Sequence, residues 1–444
     1  MREILVLLLQ GLTVFVLLPL LLLFAVWKYK NAKRKPTTWG GYVHPSFEKI
    51  KEVFIDNLMR SWERDGAALC IYHRGECVVD LWGGLADRDS LREYQHSTLQ
   101  IVFSTSKALG ATCIAKLVDS GRLNYKDQLA SFWPEFGQKG KDKITVEQIL
   151  SHTAGLAHIE ELITVEDAKC HLRMAAILEA QEPNWQPGQD IGYHALSYGW
   201  LVDQIIRRTD GRGIGQFWRE EIAQKYGLEI HIGLPLTEAW RVARITRPTV
   251  WNRVDEFLTD PENVNYWFVL KQYVSKGMSH KVAHNPPWLQ TIFNCYVNNP
   301  DVYALEQTAL LAISSAREMA RFANLLQSGR IVSRNTLEKM EELISMGRDK
   351  VSGAMTTRGR GVTIVEYNRN GISSRMTGHA GLGGQNLRWD SENELAFCYL
   401  SNGLKGGLGD KARSYVRIIE ALFECLSGNN NNNNNEIFAK PLLL

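Results

Sequence analysis

Strand-like segments lie near both ends of this chain, and a long helical stretch separates them. Residues 67–73 and 76–82 are strand-like and are joined by Arg74 and Gly75, which predicts a hairpin. Strand-like runs return at 361–367, 385–390 and 395–400, whereas 132–304 is helical and loop-rich. We predict an α+β fold: an antiparallel sheet flanked by helices, built from residues 42–130 and 305–427, plus a mainly helical lobe over 131–304.

Composition limits the kinds of function. The 444 residues are 45% hydrophobic and 22% charged, which suits a large globular core. The net charge of +3 is small and the basic residues are mostly spread out, so we predict no nucleic-acid partner. The seven cysteines are scattered and never spaced Cys-x-x-Cys, which argues against a disulfide framework and against a zinc site.

The two termini differ from the rest of the chain. Residues 4–27 carry no charge and end on a basic flank, which predicts an uncleaved transmembrane helix after the short flank 1–3 and before a basic linker, 28–41. The basic flank, and the lack of any Asn-x-Ser/Thr acceptor in the sequence, predict that the large C-terminal part faces the cytoplasm of an unidentified membrane. Residues 428–444 contain the asparagine run 429–435 and are predicted to form a disordered tail.

A hydroxyl and an amine stand three residues apart where a helix is predicted to begin. Ser104 and Lys107 precede residues 108–119, which are rich in helix formers with apolar residues at helical period. Positions three apart share one helix face, so the hydroxyl would lie beside the amine. An activated serine is a nucleophile, and a helix start favours the oxyanion formed by its attack. Two plainer readings stay open: Ser104 could cap the helix, and Lys107 could be a solvated lysine.

Three segments later in the sequence are considered together with Ser104 and Lys107. They are SHTAGL at 151–156, WQPG at 185–188 followed by Tyr193-His194-Ala195, and His379-Ala380-Gly381 within GHAGLGGQ. Together with Ser104 and Lys107 they resemble the serine β-lactamase and penicillin-binding-protein-like family, specifically its class C and esterase branch. The resemblance runs from about residue 47 to residue 426. Taken singly, Tyr193 could be an ordinary buried tyrosine, and the glycine-rich segment could be a flexible turn.

The resemblance implies a site and a mechanism. Ser104 would attack a carbonyl, Lys107 and Tyr193 would share the proton relay, and water would release the acyl-enzyme. Backbone N–H groups of Ser104 and Leu382 would hold the oxyanion, and His379 and Gly381 would belong to the strand that closes the opposite wall. The family's cationic neighbours would favour the phenolate of Tyr193. No metal or other cofactor is implied.

Two departures from the family pattern bear on the substrate. Ala195 stands where many lactamases carry an asparagine, and His379 stands where they carry a lysine. We therefore expect a membrane-anchored serine hydrolase that acts on a small-molecule, lipid-like or peptide substrate through its ester or peptide-like bond. The alternatives are a catalytically silent scaffold of the same fold and, less favoured, a true β-lactamase.

Overall fold

The computed structural model describes residues 13–30, 37–259, 266–291, 294–406 and 409–432. The strands are β1 (Trp39–Val43), β2 (Gly66–His73), β3 (Glu76–Asp87), β4 (Arg92–Glu93), β5 (Gln100–Ile101), β6 (Ile230–His231), β7 (Ile313–Ser314), β8 (Ser345–Arg348), β9 (Met355–Arg358), β10 (Thr363–Arg369), β11 (Ile372–Ala380), β12 (Asn386–Asp390) and β13 (Leu395–Ser401). The α-helices are α1 (Leu18–Lys30), α2 (Glu48–Met59), α3 (Ser106–Asp119), α4 (Val146–Leu150), α5 (Val165–Lys169), α6 (His171–Ala180), α7 (Ser197–Asp210), α8 (Ile214–Trp218), α9 (Gln224–Tyr226), α10 (Val250–Thr259), α11 (Tyr266–Val274), α12 (Met278–His284), α13 (Ala316–Gln327), α14 (Arg334–Glu341) and α15 (Arg413–Asn432).

One antiparallel sheet of ten strands joins the two ends of the chain. Its order is β1-β3-β2-β13-β12-β11-β10-β9-β8, with β4 paired to β3. The early and late strands meet where β2 pairs with β13, which places Cys70 opposite Cys398. The predicted hairpin between β2 and β3 is confirmed, and its turn residues Arg74 and Gly75 have φ values of 53° and 81°. Strands β5, β7 and β6 form a separate small sheet.

Helices cover both faces of the large sheet. On one face, α2 and α15 bury an apolar cluster that includes Phe54, Leu69 and Leu422. Burial of each such side chain contributes about 1.5–3 kcal/mol to folding. On the other face, α13 packs across β2, β12 and β13. Helix α3 lies beyond it and contacts both α7 and β11, so the start of α3 lies between the helices of the insert and the sheet.

The structure differs from the predicted boundaries at both termini. The predicted linker, 28–41, overlaps β1, whose Trp39 pairs with Gly83 and whose Gly41 pairs with Leu81. The two glycines at 40 and 41 hid this strand, because glycine has a low strand propensity. Helix α15 continues to Asn432, so it includes the first asparagines of the predicted disordered tail. Residues 433–444 lie outside the described residues.

The predicted membrane anchor at residues 4–27 finds no support in the fold. Residues 4–12 lie outside the described residues, and the segment that follows divides into a π-helical turn, Thr13–Leu17, and α1. Among the residues that the structure describes, no helix combines the length and the apolar character needed to cross a bilayer.

Candidate active site

Ser104 lies in a tight turn that its neighbours hold in place. It is the middle residue of a 3-10 turn, Phe103–Thr105, that leads into α3. Phe103 has a φ of 45°, a left-handed conformation that bulky residues rarely adopt. The Ser106 hydroxyl donates to the carbonyl of Phe103 at 2.5 Å and accepts from the N–H of Ala312 at 3.1 Å. These two bonds stabilise the strained turn and fix the position of the half-buried Ser104.

Lys107 is enclosed one turn further along the chain. Its side chain is fully buried. Nζ donates to the carbonyls of Ala195 at 2.9 Å and Ala309 at 2.8 Å, and it lies 3.4 Å from Oγ of Ser104. An ammonium group has three donors, whereas a neutral amine has two and a lone pair. The three neighbours fit the three N–H bonds of an ammonium, and they also fit a neutral amine whose two N–H bonds serve the carbonyls and whose lone pair faces the serine hydroxyl.

Tyr193 completes the group of three. Its hydroxyl donates to Oγ of Ser104 at 2.7 Å, and its ring centroid lies 4.7 Å from Nζ of Lys107. The three side chains come from two separate parts of the sequence and meet within hydrogen-bonding distance of one serine oxygen. The structure thus brings together the three residues predicted to be catalytic, in the geometry expected of a nucleophile with two neighbouring proton carriers.

Two histidines hold the loop that carries Tyr193. Nδ1 of His152 accepts from the backbone N–H of His194 at 3.1 Å, and the His152 ring packs edge-on against the Tyr193 ring at 5.0 Å. His194 bridges the same loop to the 151–156 turn, because its Nε2 accepts from the N–H of Leu156 at 2.9 Å. These contacts give His152 a structural role.

Burial changes the proton affinity of both groups that face the serine. Loss of hydration, and then the nearby Arg358 charge, lower the pKa of Lys107 well below its usual range. Burial also raises the pKa of Tyr193 to about 12, although the hydrogen bond with Ser104 and the charge of Arg358 act in the opposite direction. The expectation of a phenolate is therefore wrong, because desolvation outweighs the neighbouring cation. Tyr193 is a neutral phenol that donates a hydrogen bond.

His379 forms one wall of the site. It lies in β11 and stacks on the Tyr193 ring, with centroids 5.9 Å apart and planes at 27°. Burial lowers the pKa of His379 well below its ordinary value, so the imidazole is neutral at physiological pH. The Nδ1–H of His379 donates a hydrogen bond to the carbonyl of Ala380 at 2.7 Å. Among the described residues Nε2 has no hydrogen-bond partner, although it is buried.

The segment after β11 lies against the serine turn. A Cβ at Gly381 would lie 3.1 Å from the carbonyl oxygen of Val102 and 3.5 Å from Cβ of Phe103, so a side chain there would crowd the turn that carries Ser104. Leu382 is half-buried and packs against the same apolar cluster as Leu404. The contact of its N–H with an oxyanion stays a prediction.

A buried ion pair, Lys405 with Glu63, holds the segment that follows β11. Nζ of Lys405 donates to Oε2 of Glu63 at 2.7 Å, to Oγ of Ser401 at 2.9 Å and to the carbonyl of Gly383 at 3.3 Å. The Lys405 side chain is 5% exposed and that of Glu63 is 0% exposed. The pair therefore connects the segment next to Leu382 with the chain entering β2 and the end of β13.

Two residues that shape the site were not predicted from the sequence. Arg358, in β9, places its guanidinium 5.0 Å from the Tyr193 ring centroid and pairs with the buried Asp349 at 3.1 Å. Gln307 donates to the carbonyl of Leu196 at 2.7 Å and accepts from the N–H of Ala309 at 2.6 Å, which fixes the segments whose carbonyls hold Lys107. Neither residue belongs to a motif, so no signal in the sequence could have identified it.

Among the described residues, no group of three or more His, Cys, Asp or Glu side chains is arranged to hold a metal ion.

Known proteins share both the sequence pattern and the fold. The sequence matches the Beta-lactamase family over residues 53–421. It is 36% identical over 210 residues to "Esterase/beta-lactamase LipL" of Mycobacterium tuberculosis, covering 47% of this chain and 48% of that protein. It is 30% identical over 194 residues to "Putative penicillin-binding protein PbpX" of Bacillus subtilis, covering 41% and 46% respectively. The chain thus matches about half the length of these curated relatives.

Two solved structures are similar over most of the chain. A penicillin-binding protein homolog from Caulobacter crescentus has a TM-score of 0.73 at 30% identity, covering 87% of this chain and 100% of that one. A family VIII carboxylesterase has a TM-score of 0.74 at 29% identity, with the same coverage of 87% and 100%. The predicted α+β architecture, a sheet with a helical lobe, is the fold that these structures share.

Proposed function

This chain belongs to the Beta-lactamase family, since the match spans residues 53–421 of 444. We propose that it is a serine hydrolase of the esterase or peptidase type. The observation that carries the proposal is the convergence of Lys107 and Tyr193 on Oγ of Ser104, at 3.4 and 2.7 Å. A buried amine and a phenol around one hydroxyl are the groups that acyl transfer requires.

The proposed acylation step begins with the neutral amine of Lys107. It takes the Oγ proton of Ser104 while the oxygen attacks the substrate carbonyl, so an O–C bond forms and the carbonyl electrons move to its oxygen. The N–H groups of Ser104 and Leu382 would hold that oxyanion. When the oxyanion electrons return to the carbonyl, the bond from carbon to the leaving group breaks; Tyr193, as a neutral phenol, would pass a proton to that group and regain one from Lys107. Water then releases the acyl group by the reverse transfers.

An ester or a peptide-like bond is the proposed target. Ala195 supplies no side-chain amide to a substrate, and the neutral His379 supplies no fixed positive charge to a substrate carboxylate. Both features weaken the case for a β-lactam antibiotic. LipL is named as both an esterase and a β-lactamase, and the family VIII carboxylesterase as an esterase alone, so an ester substrate is common to both.

A fluorophosphonate probe tests the proposal against the silent scaffold. Covalent capture of the full chain at Ser104, lost in Ser104→Ala, is the expected result. An unreactive Ser104 in a folded protein would favour the scaffold instead. Labelling of Ser106 in place of Ser104 would also contradict the assignment, since Ser106 is buried and bonded to Phe103.

Attachment to a membrane through residues 4–27, with the catalytic domain facing the cytoplasm, is a separate proposal from the sequence. Its support is the uncharged run and its basic flank. Carbonate extraction tests attachment, and protease protection of intact microsomes tests orientation. Release of the protein by carbonate would contradict attachment through residues 4–27. Protection of the catalytic domain from protease would contradict the cytoplasmic orientation.

A further inference from the structure

Helices α10 and α11 expose more large apolar side chains than a free protein surface usually does. In α11, Trp267 is 80% exposed and Val274 is 74% exposed, and Val269, Leu270 and Tyr273 are each at least half exposed. In α10 the exposed apolar side chains are Val250, Trp251, Phe257 and Leu258. We name the exposed apolar side chains of α11 the insert surface. Exposed apolar surfaces of this kind mark interaction sites.

The attachment of α11 shows which way this surface points. The Phe268 ring lies against Gly353, where an added Cβ would be 2.6 Å from a ring carbon. Gln272, four residues on, accepts from the N–H of Ser279 at 3.3 Å. Trp267, Leu270 and Val274 are spaced three and four apart, so they share a different face of the helix. That face points away from the protein.

The chain segment that carries the insert surface has charge of one sign. Residues 263–300 include no Asp or Glu, whereas Lys271 and Lys276 are exposed within or just after α11. Lysine is depleted in protein–protein interfaces, and an isologous contact between two copies would bring equivalent lysines together. Tryptophan and tyrosine beside lysine are instead typical of helices that lie in the interface of an anionic bilayer. The charge pattern therefore favours lipid over a second copy or another protein.

We propose that the insert surface docks on the surface of an anionic phospholipid bilayer, with Trp267 and Val274 entering the boundary between headgroups and acyl chains. Lys271 and Lys276 would lie at the level of the headgroups. Met278, at the start of α12, belongs to the same small apolar cluster as Tyr193 and Ala195, so docking would place the bilayer beside the site. The docking itself does not depend on a reactive Ser104.

Hydrogen exchange of the full chain tests the proposal, because it reports on each segment separately. Residues 4–27 would attach the chain to any bilayer, so the measured quantity is exchange in peptides covering 266–276. Vesicles of phosphatidylcholine alone are compared with vesicles containing about 30% phosphatidylserine. We expect these amides to exchange at least fivefold more slowly on the anionic vesicles and to lose that protection in high salt.

Two variants and a matched control sharpen the result. Lys271→Gln with Lys276→Gln should remove most of the difference in exchange between the two kinds of vesicle, since each basic residue contributes about fivefold in affinity. Trp267→Gln with Val274→Gln should abolish the protection, whereas Leu172→Gln, at a 69% exposed helical leucine, should not change it. Equal exchange on the two kinds of vesicle would overturn the proposal. Protection that grows with protein concentration in the absence of vesicles would also overturn it, in favour of a second copy.

Discussion

Removal of the Tyr193 hydroxyl should damage catalysis far more than it damages the fold. Tyr193→Phe deletes the 2.7 Å hydrogen bond to Oγ of Ser104 and keeps the ring that packs on His152 and His379. Loss of one such hydrogen bond costs about 0.5–1.5 kcal/mol of folding free energy. Loss of a positioned proton carrier lowers the rate by about 10²–10⁴-fold, equivalent to about 2.7–5.4 kcal/mol in the transition state. We expect kcat/KM for a chromogenic ester to fall by that factor.

Tyr198 provides the matched control. It is fully buried, and its ring centroid lies 5.6 Å from Nζ of Lys107, but its hydroxyl donates to the backbone carbonyl of Lys107 at 3.2 Å. Tyr198→Phe should lose a similar amount of stability in urea denaturation while keeping kcat/KM within about threefold to fivefold. Equal losses of activity in the two variants would refute the assignment of Tyr193 as a proton carrier.

The remaining predictions concern the amine, the buried ion pair and the substrate. Because burial lowers the pKa of Lys107, the neutral amine that takes the serine proton is present at a lower pH than for an ordinary lysine. We therefore expect kcat/KM to rise with pH and to level off well below the ordinary lysine pKa of about 10.4. A rise that continues past pH 10 would contradict this. Lys107→Arg keeps the charge at every accessible pH and should lower kcat/KM by roughly 10²–10⁴-fold. Lys405→Met leaves the buried Glu63 unpaired and should cost about 3–5 kcal/mol in chemical denaturation, and the added Glu63→Gln should restore at least half of it; no recovery would argue against a coupled pair. A chromogenic cephalosporin should be turned over far more slowly than a short-chain ester, and rapid turnover would overturn the reasoning from Ala195 and His379.

The features that depend on local sequence could be predicted. The hairpin at Arg74 and Gly75 and helix α3 follow from turn chemistry and from helical periodicity, and both are present. Ser104, Lys107 and Tyr193 were found because they belong to short segments in a characteristic order. Their meeting at one oxygen is a property of the folded chain, which the segments alone only suggested.

The features that depend on three-dimensional packing could not be predicted. The protonation of Tyr193 is set by the water that the fold excludes, and no spacing along the chain reports that. Arg358 faces Tyr193 from a short strand whose sequence has no recognisable pattern. Strand β1 was assigned to a linker because Gly40 and Gly41 carry little strand signal, although its backbone pairs with β3.

If the chain is a serine hydrolase, Ser104 becomes covalently acylated during turnover. The most direct measurement is mass spectrometry of the full chain after rapid acid quenching of its reaction with an activated ester. We expect a mass increase of one acyl group, located on the peptide that contains Ser104 and absent in Ser104→Ala. Turnover without any adduct, an adduct on another residue, or full activity in Ser104→Ala would contradict it.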